Sequence, residues 1–78
     1  MNGKIAKYWW RLTSPLEAAQ SALKEKRWEE AVQHYGRLRR YFPADWRGYG
    51  EACVAYRQLV QWEQADAVIE EGLTKLGE

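Results

Sequence analysis

The feature that most constrains this chain is an internal resemblance at a distance of 34 residues. When residues 28–43 are shifted by that distance, they fall on residues 62–77. The matching positions are Trp28 with Trp62, Glu29 with Glu63, Ala31 with Ala65 and, upstream, Ala18 with Ala52. A period of about 34 residues is typical of arrays of helical hairpins. The repeat therefore predicts an all-α chain with two stacked, antiparallel hairpins.

Start and stop residues place the first hairpin within residues 14–44. Ser14 is a suitable N-cap, and Pro15 suits the first helical position because its missing N–H is not needed there. The second helix is expected to begin at Trp28 and to end before Pro43, since the residue before a proline avoids helical geometry.

The second hairpin is expected within residues 45–78, with Asp45 as the N-cap of a third helix from Trp46 to Leu59. Gly48 and Gly50 lie inside that helix, although glycine costs about 1 kcal/mol relative to alanine in a helix. Their presence predicts that other atoms pack close to this stretch of backbone. A fourth helix is predicted from Trp62 to about Lys75.

Together, these positions resemble two tetratricopeptide (TPR) repeats. In that family an aromatic residue opens the second helix of each hairpin, and small residues lie where helices touch. The matching residues here are Trp28, Trp62, Ala31, Ala65, Ala19, Cys53, Tyr35, Ile69, Tyr49, Tyr56 and Pro43. The resemblance implies a short right-handed solenoid. Lys26 and Val60 stand where the family usually has a turn glycine.

The resemblance also implies a partner-binding surface, because TPR arrays bind peptides on the concave face formed by the first helix of each repeat. Lys24, Arg47 and Arg57 are then expected to hold carboxylates. Val54 is expected to contact an apolar side chain, and Gly50 to let a peptide backbone approach closely. The predicted partner is a protein or peptide with acidic groups.

Residues 1–13 place Ile5, Tyr8, Trp9 and Leu12 on one side of a predicted short helix. One interpretation is a cap over the open end of the first repeat, as repeat arrays require. The other is a docking surface centred on Trp9 and its aromatic neighbours, because aromatic residues are enriched at interfaces. A frayed tail is the third possibility.

The sequence offers no pattern that indicates catalysis. His34 is the only histidine and Cys53 the only cysteine, and neither has the partners that a general base, a zinc site or a disulfide requires. We therefore expect no enzyme activity, no cofactor and no metal. No apolar run reaches the ~18 residues of a membrane span, and residues 1–13 lack the pattern of a secretory signal. A cytoplasmic location is expected.

The net charge is +1, which does not favour binding to nucleic acid. Arg37, Arg39 and Arg40 beside Tyr41 form the best candidate for such binding, but cations near a helix C-terminus are also favoured by the helix dipole. The charge is unevenly distributed, with a net +5 over residues 1–40 and −4 over residues 41–78.

We therefore expect a non-enzymatic protein-interaction scaffold. One alternative is a TPR segment of a larger bacterial enzyme or of a secretion or assembly component. Another is a self-assembling module that forms a homo-oligomer, since the fourth helix has no following helix to cover it. The apolar ledge expected there consists of Val68, Ile69, Leu73 and Leu76.

Overall fold

The computed structural model of the chain describes residues 14–77. This part of the chain forms four α-helices and no β-strand: α1 (Pro15–Lys24), α2 (Trp28–Tyr41), α3 (Arg47–Gln58) and α4 (Trp62–Leu76). The prediction of an all-α chain with four helices at these places is confirmed. The predicted segment 1–13, with its candidate contact residue Trp9, lies outside the described residues.

The start of α1 has the predicted cap. The Ser14 hydroxyl oxygen accepts a hydrogen bond from the amide of Glu17 at 3.0 Å, and Pro15 is the first helical residue. These two residues satisfy or remove amides that would otherwise lack partners at the helix start. The start of α1 is therefore set by its local sequence.

The start of α3 differs by one residue from the prediction, because Trp46 holds the N-cap position and the helix begins at Arg47. Asp45 still contributes, since its Oδ1 accepts a hydrogen bond from the Arg47 amide at 3.0 Å. The Asp45 carboxylate therefore binds an amide of the first turn as an N-cap side chain would, although Asp45 lies one residue before the N-cap.

The two turns within the hairpins have the same backbone geometry. Lys26 has a φ of 63° and Val60 a φ of 59°, so both are in the left-handed region that glycine adopts most easily. In each turn the next residue donates its amide to a carbonyl five residues back, from Arg27 to Ala22 and from Gln61 to Tyr56. This is the bond pattern of a Schellman helix end. The geometry explains why glycine is the residue expected here.

Each helix packs chiefly against its neighbours along the chain, and a smaller contact joins α1 to α3. This packing is consistent with two helical hairpins, α1–α2 and α3–α4, joined where α2 meets α3. The core is rich in alanine, which lets helix backbones approach closely. Its buried members are Ala19, Ala22, Ala31, Tyr35, Leu38, Tyr49, Ala52, Ala55 and Val68.

Close helix contacts explain two glycines. A Cβ at Gly48 would lie 2.9 Å from Cγ of Arg39, where α3 crosses α2. A Cβ at Gly72 would lie 2.8 Å from both Cβ and Cγ of Tyr49, where α4 crosses α3. The predicted close packing around Gly48 is thus confirmed. Gly72 is needed for the same reason in the second hairpin, since a Cβ there would crowd the helix that α4 crosses.

Candidate functional site

One side of α4 carries large apolar residues that the described part of the chain leaves exposed. We call this surface the α4 face and define it by Trp62, Ile69, Leu73 and Leu76. Their exposed fractions are 54%, 36%, 70% and 40%. Val68, expected on the same ledge, is only 4% exposed and belongs to the core instead. Exposed apolar side chains grouped on one side of a helix are typical of a contact surface.

The internal repeat shows what covers the corresponding side of α2. Tyr35 occupies the position of Ile69 one repeat earlier, and it is fully buried. Arg39 occupies the position of Leu73, and its Nη1 donates a hydrogen bond to the carbonyl of Gly48 on α3 at 2.8 Å. In the first hairpin, therefore, α3 lies over this side of the helix. The equivalent side of α4 has no described helix over it.

The α4 face continues into a shallow groove between the start of α3 and the end of α4. Its volume is about 380 Å³. The groove is lined by Trp46, Tyr49, Gly50, Ile69, Gly72, Leu73, Leu76 and Gly77. No charged side chain is among the lining residues, so the groove suits an apolar surface.

Trp46 forms one wall of this groove by packing its ring over Gly50. A Cβ at Gly50 would collide with Cζ3 and Cε3 of that ring. The sequence correctly indicated close packing at Gly50. However, the space expected for a ligand backbone holds the indole of Trp46, which is itself 60% exposed.

Arg47, predicted to bind a carboxylate of the partner, is paired with a carboxylate of its own chain. Its Nε donates to Oδ1 of Asp45 at 2.9 Å, and its Nη2 donates to Oδ2 at 2.8 Å. This two-point pairing holds the pKa of Asp45 below its ordinary value of 3.8. The guanidinium therefore fixes the loop before α3.

The other predicted contact residues lie apart from the groove. Arg57 places its guanidinium 5.8 Å from the ring centre of Trp62, a cation–π geometry near the turn between α3 and α4. Val54 is 46% exposed on α3. Lys24 is exposed at the end of α1. Of the residues predicted from the concave face, the structure thus brings only Gly50 into the apolar groove.

A polar contact joins the first hairpin to the second. The Tyr35 hydroxyl donates to Oε1 of Glu51 at 2.7 Å, and Nε2 of Gln20 lies 3.1 Å from the same oxygen. Burial, and then the bond to Glu51, raise the pKa of the Tyr35 phenol above its ordinary value. Glu51 therefore serves as a structural acceptor shared by α1 and α2.

The basic run on α2 also has partners within the chain. Nη1 of Arg37 lies 2.9 Å from Nδ1 of His34, and Nε2 of His34 lies 3.6 Å from Oε2 of Glu30. Arg39 is held at Gly48, as described above. These contacts place His34 in a side-chain network along α2. Within residues 14–77, no cluster of His, Cys, Asp and Glu side chains has an arrangement that fits a metal ion.

Sequence reasoning missed Trp46 as a wall of the groove. The available signal was its position beside Gly50, four residues away on the same side of the helix start.

None of the helices within the described residues is both long and apolar enough to cross a membrane. Comparisons with protein-family models, with curated proteins and with solved structures gave no match.

Proposed function

We propose that this chain is a non-enzymatic protein-interaction module of the TPR type, and that it holds a helix of a partner protein on the α4 face. One observation carries the proposal: α3 covers one side of α2, while the equivalent side of α4 is apolar and exposed. In the proposed architecture the hairpins stack with the right-handed twist of TPR arrays.

The chemistry of the expected partner follows from how α3 packs on α2. Helix α3 meets α2 at Gly48, and Ala52 and Ala55 follow Gly48 on the same side of α3 at helical spacing; all three are buried. Small residues let the two helix backbones approach closely. A partner helix with small residues at the same spacing fits the α4 face in the same manner, with Ile69 and Leu73 packing against it.

The concave surface predicted from the TPR resemblance is less suited to binding an acidic peptide than the resemblance implies, because two of its cations already have partners. Arg47 is already paired with Asp45, and Arg57 lies over Trp62. An incoming carboxylate would have to replace the Asp45 contact. For this reason we place the partner on the α4 face, where burial of apolar surface supplies about 25 cal/mol per Å².

A direct test appends a copy of residues 45–78 after Glu78, which continues the 34-residue period without a change of register. If the α4 face accepts a helix in the way that α2 does, the added hairpin packs on it. Neighbouring repeats stabilise one another through their shared interface. We expect a single unfolding transition at higher denaturant concentration than the parent, and slower amide exchange in α4.

The matched control is the same extension carrying Leu73→Glu at the junction. A charge at this position costs far more when it is buried than when it is exposed, so the control should lose the added stability. An extended chain that unfolds in two separate steps, with α4 exchanging as fast as in the parent, would refute the proposed face.

A further inference from the structure

We propose that the helix held on the α4 face is α1 of a second copy of this chain, so that copies associate head to tail. The inference rests on the proposed function, since it names the partner of the same surface. It depends on three observations: the pattern of small residues on α1, the exposure of that pattern, and the distribution of charge along the chain.

The outer side of α1 repeats the small residues with which α3 packs on α2. Ser14, Ala18 and Ser21 stand 34 residues before Gly48, Ala52 and Ala55. On α3 these positions are buried, and Gly48 lies against Arg39 and Leu38 of α2. In the first hairpin, Ser14 (the N-cap of α1) and Ser21 are exposed, and Ala18 is partly exposed. Each end of the described chain thus presents one half of the contact that joins α2 to α3.

The charges of the two ends are complementary. Helix α1 and the turn after it, residues 15–27, carry Lys24, Lys26 and Arg27 against Glu17 and Glu25, a net +1. Helix α4 carries Glu63, Asp66, Glu70 and Glu71 against the single base Lys75, a net −3. Head-to-tail association places the weakly basic α1 end of one copy against the acidic α4 of the next. Packing of α4 against α4 would instead bring two acidic helices together. Charge therefore favours the head-to-tail arrangement.

Two positions of the contact are not matched. Arg39, which donates to the carbonyl of Gly48, has Leu73 as its counterpart on α4. Glu17 stands one repeat before Glu51, but the buried tyrosine that donates to Glu51 has Ile69 as its counterpart. The intermolecular contact therefore lacks the two hydrogen bonds that Tyr35 and Arg39 make within the chain. We expect association that is weaker than the packing of the two hairpins and that depends on protein concentration.

This contact joins two different surfaces, so it does not close a dimer by two-fold symmetry. Each added copy leaves a free α1 at one end and a free α4 face at the other, which produces an open series. Light scattering on the full chain should show an average mass that rises with concentration beyond a dimer. Added salt should reduce it, because the attraction between the ends is partly electrostatic.

The decisive experiment uses two variants that each block one end. Ser21→Glu places a large acidic side chain on the outer side of α1, and Leu73→Glu places one on the α4 face. Each variant alone should remain monomeric. An equimolar mixture should form a 1:1 complex, because the intact α4 face of the first variant binds the intact α1 of the second. Gln33→Glu and Thr74→Glu are controls at other exposed positions and should associate like the parent.

Three results would overturn the inference. A parent chain that stays monomeric at all concentrations excludes association, but leaves the extension test of the α4 face unaffected. If Ser21→Glu still forms dimers, and Leu73→Glu abolishes them, the contact joins two α4 faces instead. Association that survives Ser21→Glu but is lost in Trp9→Ser would assign the partner surface to residues 1–13.

The unmatched position at Ile69 allows a gain-of-function test. Ile69→Tyr restores the hydroxyl that Tyr35 supplies one repeat earlier, and Glu17 of the next copy is its acceptor. We expect association of this variant to be about tenfold tighter, the equivalent of ~1.4 kcal/mol. Combining it with Glu17→Gln should remove most of the gain, and an equal gain in both backgrounds would contradict the proposed register.

Discussion

The hydroxyl of Tyr35 donates to Oε1 of Glu51 at 2.7 Å, so that a fully buried residue of α2 is bound to a carboxylate on α3. This contact crosses the junction between the two hairpins, where the backbones also approach at Gly48. It satisfies the one polar atom that Tyr35 takes into the core.

Tyr35→Phe should lower the free energy of unfolding by about 1.5 kcal/mol, because a hydrogen bond to a charged group contributes more than a neutral one. The ring is retained, so the core keeps its volume. Urea denaturation measures the change. Tyr41→Phe is the matched control, since Tyr41 is 62% exposed. Equal effects of the two substitutions would show that the bond to Glu51 does not stabilise the junction.

Gly72→Ala should destabilise the protein, although alanine is the better helix former. Its Cβ would lie 2.8 Å from both Cβ and Cγ of Tyr49, atoms close to the α3 backbone that have little freedom to move. Overpacking of this kind typically costs about 1–3 kcal/mol, against a gain of ~1 kcal/mol in helix propensity. We expect a net loss of about 1 kcal/mol in chemical denaturation.

Gly36→Ala provides the contrast within the same fold. The nearest atom to its added Cβ is Nη2 of Arg39 at 3.8 Å, an ordinary contact distance. Only the gain in helix propensity remains, so the variant should be more stable by about 0.5–1 kcal/mol. If both alanine variants shift stability in the same direction, the close crossing at Gly72 is not the limiting contact.

Val60→Gly should stabilise the protein even though it removes an apolar side chain. Val60 has a φ of 59° and is 66% exposed, so its β-branched side chain is strained while contributing little burial. Relief of that strain, about 1–2 kcal/mol, exceeds the entropic cost of ordering glycine, which is more flexible in the unfolded chain. We expect a net gain of roughly 0.5–1 kcal/mol.

Val60→Ala separates backbone strain from loss of the side chain. Alanine removes most of the side chain but has the same difficulty at positive φ, so it should show little gain. Thermal unfolding of both variants distinguishes the two effects. Similar stabilisation by alanine and glycine would show that the left-handed geometry is not the source of the strain.

The pairing of Asp45 with Arg47 predicts an acid-sensitive contribution to stability. The bond lowers the pKa of Asp45 in the folded state, so its contribution is fully present above the ordinary value of 3.8. It is lost as the pH falls below 3.8 and through the lowered folded value. The carboxylate is partly exposed, so we expect less than about 1 kcal/mol.

Asp45→Asn isolates that contribution, because the amide oxygen still accepts from the Arg47 backbone but carries no charge. The difference in unfolding free energy between parent and variant should be constant from neutral pH down to about pH 5 and should shrink at lower pH. A difference that persists unchanged at pH 2 would exclude the ion pair as its cause.

The sequence was sufficient to predict the four helices, because their periodicity and end signals are local. Positive φ at Lys26 and Val60 agrees with the repeat pattern, since equivalent turns need equivalent backbone geometry. The groove was not predictable in the same way. The contact of Trp46 with Gly50 and the pairing of Arg47 with Asp45 depend on side-chain directions in one short loop.

The order in which the helices pack also has a consequence for how the chain folds. Each helix contacts chiefly its neighbours along the chain, so most native contacts join residues that are close in sequence. Chains of this kind close only short loops and fold quickly, commonly within microseconds to milliseconds. The outer helices α1 and α4 should open before the α2–α3 junction does. If copies associate as proposed, covering α1 and α4 would slow the opening of these two helices.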